Sequence, residues 1–92
     1  MIYSITYDLR KPGQDYEGLY ESIKSLGDCR HYLESTWLVD TQLNADMIYK
    51  RLESNIDKND SILIVNFGTD YWGFLPKDAW EWIKERQKSK AS

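Results

Sequence analysis

Two stretches with an apolar residue at every third or fourth position, set among four short runs of β-branched and aromatic residues, predict an α+β domain. The order is strand, helix, strand, strand, helix, strand, the ferredoxin-like βαββαβ sandwich, followed by an aromatic segment and a short C-terminal helix. The chain has 92 residues, 41% hydrophobic and 14% aromatic, with four Trp and seven Tyr, which is enough large apolar surface to fold as one domain. Its core is expected over residues 1–67, with an extension over 68–92.

Each element has its own signal. Residues 2–8 form a strand because Ile2, Tyr3, Ile5, Thr6 and Tyr7 are β-branched or aromatic and no Gly or Pro interrupts them. Arg10, Lys11, Pro12 and Gly13 make a turn. From Asp15 onward, Tyr16, Leu19, Tyr20, Ile23 and Leu26 share one helical face, and Gly27 supplies the stop. Residues 29–34 and 36–41 read as a hairpin whose turn lacks an Asn-Gly pair. Asn44 caps a second helix with Ala45, Ile48, Tyr49, Leu52 and Ile56 on its apolar face, and residues 57–60 end it. Residues 61–67 are apolar and β-branched enough to predict an inner strand. Tyr71, Trp72 and Phe74, between Gly68 and Pro76, suggest an added edge strand. A last helix starts near Pro76 or Lys77 and passes Trp80, Ile83 and Arg86, with fraying expected from residue 88. Both main helices then pack on one sheet face, so the other face calls for a partner, and a homodimer is expected.

Composition closes several functional classes. The longest apolar run, Ile62 to Val65, is far short of the roughly 20 residues that span a bilayer. The N-terminus has no basic start and no long apolar run, so the expected compartment is cytoplasmic. A single cysteine, Cys29, fits a reducing compartment and a packing role. The net charge of −3 is uneven: Lys84, Arg86, Lys88 and Lys90 face only Glu85 in the last nine residues, leaving −6 on the rest. An acidic body argues against a broad grip on a phosphate backbone, so any nucleic-acid site is local. Without a Gly-rich phosphate loop, Cys/His metal spacing or nucleophile elbow, an NTPase, a zinc module and an α/β-hydrolase are excluded.

Asp8 closes the first strand directly before the Arg10, Lys11, Pro12, Gly13 turn. A carboxylate there either caps the turn or holds Mg²⁺ or Mn²⁺, and in a two-fold dimer a pair of them can clamp a phosphodiester. The wording Ile5-Thr6-Tyr7-Asp8-Leu9, the helix Leu19-Tyr20-Glu21-Ser22-Ile23 and the strand end Ser35-Thr36-Trp37-Leu38-Val39 resemble the small ferredoxin-fold nuclease-like family of CRISPR spacer acquisition. They resemble more closely its stand-alone bacterial relatives, the so-called SinR-family. The virulence-associated D ribonucleases are more distantly similar. The resemblance covers about residues 1–67 and implies a dimeric metal-dependent phosphodiesterase with Asp8 as the metal ligand. In the second strand Arg30 and His31 stand where the CRISPR proteins carry a basic residue, but Leu33 replaces their Gln.

His31 is the only histidine and a candidate general acid or base, although a half-buried, backbone-bonded His is the commoner outcome. Arg10, Lys11 and Arg30 are candidate phosphate contacts. Strand alternation sends Arg30 and His31 to opposite faces. Tyr71, Trp72, Phe74 and Trp82 are a candidate interaction surface; Trp80 and Trp82 cannot share a helical face, so one of that pair belongs to the core. Two functions follow as expectations: a dimeric nuclease on RNA or DNA, or a non-catalytic dimeric module that binds a protein partner or small nucleotide through the aromatic extension.

Overall fold

The computed structural model describes residues 1–10 and 16–91, with side chains through residue 87. The elements are β1 (Ile2–Asp8), α1 (Glu17–Lys24), β2 (Asp28–Leu33), β3 (Thr36–Asp40), α2 (Ala45–Leu52), a 3₁₀ turn (Glu53–Asn55), β4 (Ser61–Asn66) and α3 (Lys77–Ala91). The strands form one sheet in the order β2-β3-β1-β4, with every neighbouring pair antiparallel. This is the ferredoxin-like α+β fold that the order of sequence signals predicts.

Alternation along β1 divides the molecule. Tyr3, Ile5 and Tyr7 point to one face, where they meet Leu19 and Ile23 of α1, Ile48 and Leu52 of α2, and Trp37 and Val39 of β3. The buried indole N–H of Trp37 is satisfied by the Tyr7 hydroxyl at 3.0 Å. Cys29 is half-buried against this core, and burial pushes its thiol pKa up, which fits a packing role. On the opposite face a smaller cluster forms, in which Trp82 and Ile83 of α3 cover Ile2 and pack with Leu38 and Phe67.

Local chemistry explains the boundaries. Asn44 accepts a hydrogen bond from the Met47 backbone N–H at 2.9 Å and starts α2 as an N-cap. Gly27 follows the end of α1, and its role is close approach: a Cβ there would lie 2.2 Å from the Asp40 carbonyl oxygen. The two-residue Glu34–Ser35 turn joins β2 to β3, with Leu33 opposite Thr36 and an irregularity between Arg30 and Leu33.

Two expectations are corrected. β4 is an edge strand, because it stands at the end of the sheet order and pairs only with β1; Leu63 on its uncovered part is 63% exposed. Residues 67–76 add no strand; they cross the second face as irregular backbone, tied to β1 at their start by Phe67 N–H donating to the Ile2 carbonyl. The last helix runs over Lys77–Ala91.

The two glycines near α1 should respond differently to alanine. Gly27→Ala must displace β3 backbone and is expected to cost about 2 kcal/mol or more in urea unfolding. Gly18→Ala meets only the Asn55 side chain and gains up to about 1 kcal/mol of helix propensity, so it should lie within about 1 kcal/mol of wild type.

Candidate functional site

The second face of the sheet carries Ile2, Ser4, Thr6 and Asp8 of β1, and the register places Ser61, Leu63 and Val65 of β4 beside Asp8, Thr6 and Ser4. α3 occupies the end near Ile2 and Leu38. Thr6, Asp8, Ser61, Leu63 and Val65 are therefore left exposed.

Asp8 stands at the exposed end of this open half. Arg10 donates to its Oδ2 through Nη2 at 2.6 Å and Nε at 2.9 Å. The two side chains are 59% and 64% exposed, so the pair is worth little and a competing ligand can open it. The Arg10 backbone N–H donates to Asp60 Oδ1 at 2.7 Å, and Asp60 also accepts the Tyr16 hydroxyl at 2.9 Å, tying the strand end to the loop before β4. Lys11, a candidate phosphate contact, lies outside the described residues. No group of three or more His, Cys, Asp or Glu able to hold a metal occurs among the described residues. A single carboxylate such as Asp8 holds Mg²⁺ only with water and substrate phosphate oxygens completing the shell.

Arg30 and His31 do not join Asp8. Arg30 Nη1 donates to Asp28 Oδ1 at 2.6 Å and to the Cys29 carbonyl at 2.9 Å, and its guanidinium lies 5.3 Å from the Trp82 ring centroid. Its register with Leu38 and Ser4 sets it two strands and four residues from Asp8, roughly 16 Å at sheet spacings. His31 stacks on Trp37 at 4.0 Å, on the α1/α2 side, with Nε2 2.9 Å from the Glu34 carbonyl oxygen. A general acid or base for Asp8 chemistry in the same protomer is therefore not supplied by His31.

Trp82 is the one member of the predicted interaction surface that the structure withdraws. It is buried, flanked by the guanidiniums of Arg30 and Arg86, and its Nε1 donates to Asp28 Oδ2 at 3.2 Å. Arg86 pairs with Asp28 and, at 3.5 Å, with Asp40. Those two acids face each other across the β2–β3 ladder, a like-charge pair that a cation must offset. Burial pushes the Asp28 carboxyl up, but hydrogen bonds from Trp82 and Arg30 and the charges of Arg30 and Arg86 outweigh it and hold the pKa below the ordinary value. The sequence marks Arg86 only as part of a basic tail; the two acids flanking the hairpin were the available signal.

The other aromatic residues build a groove of about 290 Å³ between the β2–β3 turn and the extension. Tyr32, Leu33 and Leu38 form one wall, while Trp72, Leu75 and Trp80 form the other. Trp80 stacks with Tyr71 at 6.3 Å and Trp72 at 5.7 Å, and the Tyr71 hydroxyl donates to Gln87 Oε1 at 2.9 Å. Trp72 is 93% exposed and Phe74 100%. No Lys or Arg lines the groove. Glu34, Asp70 and Asp78 flank the lining residues in the chain, and burial together with nearby Asp78 raises the Tyr32 pKa. Among cations, the already paired Arg30 is near Tyr32, and Lys77 and Lys84 lie one turn either side of Trp80 on α3.

No family model matches this chain, and no curated protein matches it. Among solved structures, the crystal structure of a hypothetical protein, TT1823, from Thermus thermophilus is similar with a TM-score of 0.57 and 18% identity, covering 82% of this chain and 93% of that one. At that identity the likeness speaks for the fold. No helix among the described residues is long and apolar enough to cross a membrane.

The depressed Asp28 pKa sets an acid limit. Its contribution is complete above the unfolded-state value near 3.9 and is lost as pH falls through the lower folded value. Wild-type stability should therefore drop below about pH 4, whereas Asp28→Asn should be less stable at pH 7 and show a shallower loss over that window in urea titrations.

Proposed function

We propose that this protein is a non-catalytic binding module that takes an apolar, cation-flanked segment of a protein partner into the groove between the β2–β3 turn and residues 71–80. The observation that carries this reading is the exposure of Trp72 and Phe74 at the mouth of an apolar groove. Lone exposed apolar residues are common, but an exposed Trp and an exposed Phe together at a lined cleft mark a recognition surface. Aromatic anchors supply most of the energy in such a site. Charge selects the partner: the groove offers no cation to a phosphate, while Glu34, Asp70 and Asp78 around it favour Lys or Arg flanking the inserted side chains.

The test uses two short peptides that alternate Leu and Trp with either Lys or Glu, followed by fluorescence anisotropy. The Lys peptide should bind about tenfold tighter than the Glu peptide, and Trp72→Ser with Phe74→Ser should abolish both. Equal binding would remove the charge argument and keep the groove. No binding of either peptide, with capture of single-stranded RNA, would transfer the site to nucleic acid.

A second reading is favoured by one observation, the exposed carboxylate of Asp8 on the uncovered half of the sheet. In that reading two copies meet through Thr6, Leu63 and Val65 as a homodimer, and the paired Asp8 carboxylates hold Mg²⁺ or Mn²⁺ for phosphodiester cleavage of RNA or DNA. Arg10 then moves from Asp8 to the phosphate. Labelled RNA and DNA incubated with Mg²⁺, Mn²⁺ or chelator provide the check. Metal-dependent cutting that disappears in Asp8→Asn supports the nuclease; cutting retained by that variant, or absent in wild type, rules it out.

A further inference from the structure

The two edges of the sheet are finished differently. β2 carries Asp28, Arg30 and His31, departs from regular register between Arg30 and Leu33, and has Arg86 of α3 paired to its Asp28. Charges and irregularities of that kind keep another strand from pairing. β4, at the other end of the order, reads Ser61-Ile62-Leu63-Ile64-Val65-Asn66, with no charge, Pro or Gly and an unbroken register with β1. It is also incompletely covered on both faces. Ile62 and Ile64 are half-buried against the main core, while Leu63 and Val65 on the second face are 63% and 47% exposed.

The phase of the backbone decides which groups this edge offers. Phe67 N–H donates to the Ile2 carbonyl at 2.8 Å, so Val65 and Leu63, at successive steps of two, also turn their N–H and C=O groups towards β1. The Tyr7 N–H, which donates to the Ser35 carbonyl at 3.1 Å, fixes the same phase: odd residues of β1 turn to the β3 side and even ones to β4. Ile62, Ile64 and Asn66 therefore direct their backbone groups away from β1, and among the described residues no strand lies there to receive them.

We infer that a second copy of this chain adds its β4 to this edge, antiparallel about a two-fold axis through the Ile64 pair. In that register Ile64 exchanges both backbone hydrogen bonds with Ile64 of the second copy, and Ile62 does so with its Asn66, so every outward group of the strand is satisfied. Leu63 falls opposite Val65 of the second copy, at a non-hydrogen-bonded position where side chains approach most closely, and the symmetry repeats that contact. Charge selects the occupant: the chain carries a net charge of −3, yet its copies meet here along a strand that sets no like charges opposite each other. This contact differs from the face-to-face meeting considered for Asp8, because at sheet spacings it holds the two Asp8 carboxylates roughly 25 Å apart, too far to share a metal ion. The groove lies towards β2 and β3, so the pairing leaves both grooves open and makes the assembly bivalent. Bivalency rests on the groove being the binding site, whereas the edge contact does not.

Light scattering and amide-resolved hydrogen exchange on the full chain test the contact. The mass should double between about 5 and 500 µM, as expected of a small interface. Over the same range the amides of Ile62, Ile64 and Asn66 should slow about tenfold, while those of Leu63 and Val65, already bonded to β1, should not change. Leu63→Lys with Val65→Lys sets Lys opposite Lys at both symmetric positions and should remain monomeric; Leu63→Lys with Val65→Glu sets opposite charges there and should recover the dimer. Both pairs of substitutions sit on exposed positions, and protection of the β1 amides reports that the fold is kept. A monomer throughout would overturn the inference, as would a dimer in which the Ile62, Ile64 and Asn66 amides stay unprotected. Failure of both variants to dimerise would overturn the Ile64-centred register. Dimerisation with no binding of the Lys-bearing peptide would leave the edge contact standing and remove its bivalency.

Discussion

The two-sidedness of β1 is the constraint from which the rest of the structure follows. As one of two inner strands it is hydrogen-bonded on both edges, to β3 and β4, so its side chains can only go above or below the sheet. The odd positions Tyr3, Ile5 and Tyr7 build the main core under α1 and α2. The even positions Ile2, Ser4, Thr6 and Asp8 run from apolar to charged, and that gradient decides how much of the second face a helix can cover. α3 takes the Ile2 end, where burial is favourable, and the Asp8 end stays open because covering a carboxylate without partners is costly.

Electrostatics then fixes where the cover sits. The β2–β3 register sets Asp28 opposite Asp40, and two like charges across a ladder destabilise the pair unless a cation intervenes. Arg30 and the Met1 ammonium each neutralise one of these acids, Arg86 bridges both, and the Arg30 and Arg86 guanidiniums lie 5.3 and 6.0 Å from the Trp82 ring centroid. The groove is a by-product of this docking. With α3 held near Asp28, its N-terminal half stands opposite Tyr32 and Leu33 and leaves an aromatic cleft between.

Much of this architecture is legible in the sequence where the signal is local. The three-and-four spacing of Leu19 and Ile23, and of Ile48 and Leu52, gives both main helices, and Asn44 is an N-cap by its own chemistry. Non-local facts were not legible. Residues 61–67 read as an inner strand, yet β4 lies at the edge, and Leu63 and Val65 meet solvent because no layer lies over β4 there. Trp80 and Trp82 were separable as one core and one outer residue, but only the position of Asp28 decides which is which. The candidate site shows the same division. Strand alternation correctly parts Arg30 from His31, while the engagement of Arg30 with Asp28 and Trp82, and of His31 with Trp37, depends on contacts that no short window contains.

The four tryptophans occupy four different surroundings. Trp37 is buried and bonded to Tyr7, Trp82 lies between guanidiniums, Trp80 is half-buried in an aromatic stack, and Trp72 stands in water. The intrinsic emission of the chain is therefore a composite spectrum, with a long-wavelength component from Trp72 present even in the native state. A melting curve taken at one emission wavelength weights these regions unequally, so spectroscopic assignment on this protein requires variants that keep one indole at a time.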